Sequence, residues 1–235
     1  MLLPSLLRKF GVYRTGYVSL SFGGAMMAAT ANAMVPPSER AVLDAIYDGT
    51  GGSTSWTDST GWDLPPSQGM SECNNFGVTC VQDAQGHEHI SVIDLHQNGL
   101  MGELPPSLSS LPYLETFDVW GNQIGGSIPA LDGLSKLTML SLSYHPFGGS
   151  IPSLANTPKL RYFYANWNQL SGAIPSLSAL TDLLGLDISD NHLTGSIPAL
   201  DGLLKLAAID VSGKSPFGSH TSAFESDEPD HFRCL

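Results

Sequence analysis

Two short stretches bring imidazoles and carboxylates close together: His87-Glu88-His89, and Asp94 with His96. Groups of these types, held within hydrogen-bond reach, can pass a proton or hold a divalent ion. Catalysis would need a partner for them. Neither stretch has a Ser or Cys nucleophile at a recognisable spacing, a G-x-S-x-G elbow or a Cys-His metal pattern. The chain is therefore not expected to be an enzyme, and catalytic residues, metal and cofactor are each read as none. His87 and His89 fall just before the first strand of the repeats and are read as solvated.

The second chemistry on offer is recognition by aromatic rings. Residues 162–170 read YFYANWNQL, and Trp120 and Tyr144 stand upstream. Rings can fill a core or face a partner. Which of these do which is decided by the elements that carry them.

Those elements repeat. Ile-Pro pairs place prolines at 129, 152, 175 and 198, a period of 23 residues, and Leu104-Pro105 begins the series one residue longer. A fixed period in this range signals a solenoid. Between the pairs, Leu180, Leu183, Leu186, Ile188, Asn191, Leu193, Gly195, Ile197 and Pro198 spell L-x-x-L-x-x-L-x-L-x-x-N-x-L-x-G-x-I-P, and Leu111 to Pro129 follow the same scheme. Six units start near 90, 108, 131, 154, 177 and 200. The L-x-L pair reads as a short strand with its apolar side turned inward. One coil cannot bury its own apolar face, so neighbours must stack on it. The Asn at the bend can satisfy buried backbone groups. Asn98, Asn122, Asn168 and Asn191 fill that ladder, whereas His145 and Lys214 stand in units three and six. His145 is read as a substitute hydrogen-bonding side chain. His145-Pro146-Phe147 and Ser215-Pro216-Phe217 predict irregular bends.

This pattern resembles the leucine-rich repeat, in its plant-type subclass with the G-x-I-P tail. The resemblance implies an α/β solenoid: a right-handed superhelix with a parallel concave β-sheet and short 3-10 or irregular convex segments. Upstream, Pro36-Pro37-Ser38-Glu39 predicts a helix start with Ser38 as cap, and Ala41, Val42, Ala45 and Ile46 its apolar face. With Trp56, Trp62, Cys73 and Cys80 this segment is similar to the family's N-terminal cap, in which the two cysteines are bonded and the tryptophans pack on the first repeat. The family includes receptor ectodomains and inhibitors of polygalacturonases, so both are implied as alternatives. No kinase domain follows the repeats, so a receptor kinase is not expected.

The register sorts the rings. Phe163, Ala165 and Leu170 fall inward. Tyr162, Tyr164 and Trp167 fall outward, as do Trp120, Met139 and Tyr144 in the neighbouring units. With strands about 4.8 Å apart, units two to four put these rings in one patch roughly 10–15 Å across. An outward column reads Asp94, Asp118, Ser141, Tyr164, Asp187, Asp210. The expected ligand-binding set is Trp120, Tyr144, Tyr162, Tyr164, Trp167, Asp118 and Asp187, taking a protein, peptide or glycan outside the cell. The competing reading is that the rings only pack on one another across strands.

Composition supports an exported, acidic protein. Residues 1–33 carry Arg8, Lys9 and Arg14, an apolar run from Tyr17 to Ala31 and Ala31-Asn32-Ala33. This reads as a signal peptide cut before Met34, the alternative being an uncleaved membrane anchor. Its loss would take the formal charge from −12 to −15. Such a chain disfavours nucleic acid and favours neutral or cationic partners. The location expected is secreted, periplasmic or cell-surface. Export favours pairing Cys73 with Cys80 and leaves Cys234 for an intermolecular link, the basis of a structural or adhesive alternative. The expected domains are the signal peptide, a cap at 34–89, repeats at 90–218 and an acidic tail at 219–235.

Overall fold

A computed structural model describes residues 35–63 and 71–213. The signal segment, Lys214, the Ser215-Pro216-Phe217 bend, the acidic tail and Cys234 lie outside the described residues.

The chain begins with α1 (Pro37–Gly49), then runs through strands β1 (Val78–Gln82), β2 (Glu88–Asp94), β3 (Met101–Glu103), β4 (Thr116–Asp118), β5 (Gln123–Gly125), β6 (Met139–Ser141), β7 (Tyr162–Tyr164), β8 (Ser171–Ala173), β9 (Gly185–Asp187), β10 (His192–Thr194) and β11 (Ala208–Asp210). The large sheet has the order β1-β2-β4-β6-β7-β9-β11. Every pairing from β2 onward is parallel, whereas β1 meets β2 antiparallel and closes the sheet's first edge. Six parallel strands joined by five returns make a β-solenoid of about five turns. Helix is scarcer than an α/β class implies: among the described residues the α-helix is confined to α1, with 3-10 turns at Glu72–Asn74 and Pro106–Ser110.

The apolar positions do what a solenoid requires. Ile93, Phe117, Leu140, Phe163, Leu186 and Ile209 stand in register across the six strands. The first five are buried, and Ile209, on the last strand, is half-buried. Each interior residue thus packs on its counterpart in the next coil, which is why no single unit holds its shape alone.

On the other side of the coils, β3 pairs with β5 and β8 with β10. This second ladder breaks at unit three, where only the single bridge Ser127–Gly148 forms. Pro146 has no N–H to donate there, and Phe147 turns fully into the core.

The segment before the repeats departs from expectation in three ways. The helix starts at Pro37 with Pro36 as the flanking residue, so Ser38 sits inside the first turn and caps nothing. Proline suits that place because the first N–H of a helix has no partner in any case. The buried face is Val42, Leu43 and Ile46 with Glu39, and Ala41 is exposed. His89 is not solvated: it lies within β2 and is bonded on both ring nitrogens, Nδ1 to Glu39 at 2.6 Å and Nε2 to Asp83 at 3.3 Å. Its ring stacks on Tyr113 with centroids 3.9 Å apart, and the Lys136 ammonium lies 3.4 Å from the centre of the Tyr113 ring. Burial lowers the His89 pKa, but its bonds to the two carboxylates outweigh that and leave it raised. His89 is thus a fastening between α1 and the first parallel strand, whereas His87 stays exposed beside Asp83 and Glu88 accepts from the Ser71 hydroxyl. Cys73 and Cys80 form a disulfide. Trp62 is buried and donates to the Phe76 carbonyl at 2.9 Å, and Trp56 packs edge-on against it.

Candidate functional site

The site is built on the solvent face of the large sheet and on the bend where each strand leaves it. Register puts Asp94, Asp118, Ser141, Tyr164, Asp187 and Asp210 in one column, as the period requires. Three residues beyond the column, the backbone of each unit turns left-handed. The residues there are Gln97 (φ 48°), Gly121 (70°), Tyr144 (64°), Trp167 (56°), Asp190 (51°) and Gly213 (67°). This turn lets the following side chain swing into the interior, where the ladder stands.

The ladder has clear physical work. Asn122 Nδ2 donates to the carbonyls of Leu95 and Val119, and its Oδ1 accepts from the N–H groups of Asn98 and Leu100. Asn98 reaches back to the segment before the repeats, donating to the Asp58 carbonyl. Asn168 and Asn191 repeat the scheme. His145 reproduces it with a ring: Nε2–H donates to the Val119 carbonyl at 2.7 Å, and Nδ1 accepts from the Ile124 N–H at 3.1 Å. Burial holds its pKa down at about 4, against a smaller opposing effect of the Val119 bond. Both ring nitrogens are engaged by backbone, so His145 cannot serve as a base for a partner.

The left-handed position is costly for a side chain with a Cβ, by about 1–2 kcal/mol. Two units use glycine there, and Tyr144 and Trp167 do not. Among the described residues their rings are also the most exposed aromatic side chains, at 48% and 54%, ahead of Phe76 at 39%. They stack on each other, with centroids 5.8 Å apart and planes 13° from parallel. Trp120, half-buried, meets Tyr144 edge-on at 5.8 Å. The rings Trp120, Tyr144 and Trp167 therefore form a continuous row across units two, three and four.

Tyr162 and Tyr164 stand apart from that row, on β7 itself, with centroids 6.0 Å apart and both rings half-buried. They lie over β9 at Gly185, where a Cβ would come within 3.1 Å of the Tyr164 hydroxyl and 3.2 Å of the Tyr162 ring. Burial raises the Tyr164 pKa, helped by Tyr162 and Asp187. Asp118 accepts from the Trp120 N–H, and Asp187 accepts from the Ser189 hydroxyl at 2.6 Å. Both carboxylates are half-buried beside the rings.

One cluster crosses units in a way the linear sequence hid. The ligand atoms of Asp94, His96 and Asp118 all lie within 4.8 Å of one another. Two carboxylates and an imidazole suit a divalent cation, yet their closeness needs none. His96 bonds Asp94 through Nδ1, and that bond, then the charges of Asp94 and Asp118, raise the His96 pKa.

Sequence and structure comparisons bear on the whole arrangement. A model of the Leucine Rich Repeat family matches residues 89–111, within coils whose strands, ladder and interior repeat through the described chain. The chain is a leucine-rich-repeat protein. Part of it is 38% identical over 71 residues to the receptor protein kinase WSS1 of Oryza sativa, covering 30% of this chain and 7% of that one. The chain spans 7–11% of the length of the curated relatives it matches. Among solved structures it resembles a chain of the Arabidopsis thaliana BIR3–SERK2 complex, with 32% identity, a TM-score of 0.63, and coverage of 74% of this chain and 92% of that one. It also resembles the Arabidopsis receptor kinase HAESA in complex with the peptide hormone IDA and the co-receptor SERK1, with 29% identity, a TM-score of 0.60, and coverage of 77% and 30%. The leucine-rich-repeat chain is thus similar to extracellular ectodomains of plant receptors, and its described residues hold repeats and no catalytic domain.

Proposed function

We propose that this leucine-rich-repeat chain is a non-catalytic recognition module outside the cell. Its partner, a protein, peptide or glycan, sits on the concave face against Trp120, Tyr144, Tyr162, Tyr164 and Trp167, with Asp118 and Asp187 beside them. One observation carries the reading: Tyr144 and Trp167 present stacked, half-exposed rings from left-handed positions, where two of the other four units have glycine and none has a ring. Backbone strain of this kind persists where a site needs it, and exposed ring clusters mark binding surfaces. The likeness to ectodomains whose structures hold a peptide hormone or a co-receptor supports a binding role in general. The Cys73–Cys80 bond supports an oxidising, extracellular setting.

The test is a pull-down from the extracellular material of the source organism and its neighbours. The Tyr144→Ala, Trp167→Ala double variant is expected to lose the captured partner while keeping the wild-type far-UV spectrum. Equal capture by both proteins removes the ring row from consideration.

A further inference from the structure

The charge on this face is sorted. The columns that carry the ring row, Tyr164 and the bends are residues 94, 118, 141, 164, 187 and 210; then 96, 120, 143, 166, 189 and 212; then 97, 121, 144, 167, 190 and 213. They hold Asp94, Asp118, Asp187, Asp190 and Asp210 and no Lys or Arg. The one imidazole among them, His96, is already bonded to Asp94.

Among the described residues, the cations of the repeats stand at the opposite margin of the sheet, before or at the start of the strands, and three are occupied there. Lys136 lies over Tyr113, Lys205 pairs with Asp182 at 2.5 Å, and Arg161 lies 6.0 Å from the Tyr162 ring. The ring row thus ends in a field of carboxylates that no lysine or arginine of its own columns neutralises.

Resting on the reading of the row as the binding surface, we infer that the partner presents an arginine- or lysine-bearing peptide segment to it. Ring faces attract a cation within about 6 Å of their centres, most strongly at Trp. The exposed faces of Tyr144 and Trp167 supply such surfaces, and the right-angled corner of Trp120 and Tyr144 supplies a second wall. Asp118 stands on the strand that leads into Trp120, and Asp187 is the register partner of Tyr164 one coil beyond Trp167. A guanidinium or ammonium on the rings therefore has a carboxylate on either side. A neutral sugar would use the rings but leave these carboxylates without a counter-charge, and an acidic segment would be repelled.

The probe is a synthetic nona-arginine peptide, with a Gly-Ser peptide of equal length and a neutral oligosaccharide as comparisons, followed by tryptophan fluorescence and calorimetry. Three proteins are used: wild type, Tyr144→Ala with Trp167→Ala, and Asp118→Asn with Asp187→Asn. The asparagines keep an oxygen to accept the Trp120 N–H and the Ser189 hydroxyl. Arginine-peptide affinity is expected to fall about tenfold or more in each double variant, and to weaken steeply as salt is raised. Equal affinity for wild type and the ring variant means attraction to net charge alone and overturns the inference. So does absence of arginine-peptide binding to wild type. Ring-dependent binding of the oligosaccharide, with none of the arginine peptide, overturns the cationic partner and leaves the ring surface standing. The pull-down with the ring variant decides that surface separately.

Discussion

Replacing Asn168 with leucine is expected to lower the free energy of unfolding by about 2–5 kcal/mol, read as a shift in the urea midpoint. The side chain is buried and joins two coils: its Nδ2 donates to the Leu142 and Ala165 carbonyls, and its Oδ1 accepts from the Phe147 N–H. Leucine fits the volume but answers none of these groups. The Ala165 carbonyl keeps a bond from Asn191. The Leu142 carbonyl and the Phe147 N–H lose their partner inside a dry interior, where an unmet group costs about 1–3 kcal/mol. Asn156, exposed and bonded only to Asp132, is the control. Its change to alanine is expected to move stability by no more than about 0.5 kcal/mol. Equal effects at the two positions would show that the ladder is ornamental.

The second large effect is a dependence on acid. Folding holds the His145 pKa at about 4, below its ordinary value of 6.5. Above 6.5 the imidazole is neutral in both the folded and unfolded chain and contributes no pH dependence. As pH falls from there toward 4, the unfolded chain takes up a proton that the folded chain refuses, so stability is lost. The separation corresponds to on the order of 3 kcal/mol by pH 4. Protonating Nδ1 would also remove the acceptor of the Ile124 N–H. Asparagine, the residue of the sister units, does not titrate. His145→Asn is therefore expected to flatten the acid limb between about pH 6.5 and 4 while leaving stability near pH 7.5 within about 1 kcal/mol. His89 and His96, both raised, are common to the two proteins and cancel in the difference. Parallel acid limbs in urea unfolding would contradict the assignment.

Much of the fold was legible because its signal is periodic. The spacing of Ile-Pro pairs and L-x-L strands fixes which residues face inward, and Phe163, Ala165 and Leu170 are buried as the register demands. The same register turned Trp167 and Tyr144 outward. What it did not show is the backbone under them. Aligning Gln97, Gly121, Tyr144, Trp167, Asp190 and Gly213, with glycine in two of the six places, was the signal that could have shown a left-handed turn. Contacts without a period were hidden. Glu39 meets His89 across 50 residues, Asp94 and His96 meet Asp118 from the next coil, and Gly185 makes room for Tyr162 and Tyr164. The helix start failed for a local reason: Ser38 has the side chain of a cap, but proline at 37 already begins the helix.

The central claim is that the fold carries Tyr144 and Trp167 for a partner rather than for itself. Its most direct test is the unfolding free energy of the Tyr144→Gly, Trp167→Gly double variant in urea. Glycine relieves about 1–2 kcal/mol of left-handed strain at each position. The lost ring stack and half-burial cost a similar amount. The variant is therefore expected within about 1 kcal/mol of wild type. Destabilisation of about 3 kcal/mol or more would instead show that the rings hold the coils together, contradicting their reading as a surface kept for binding.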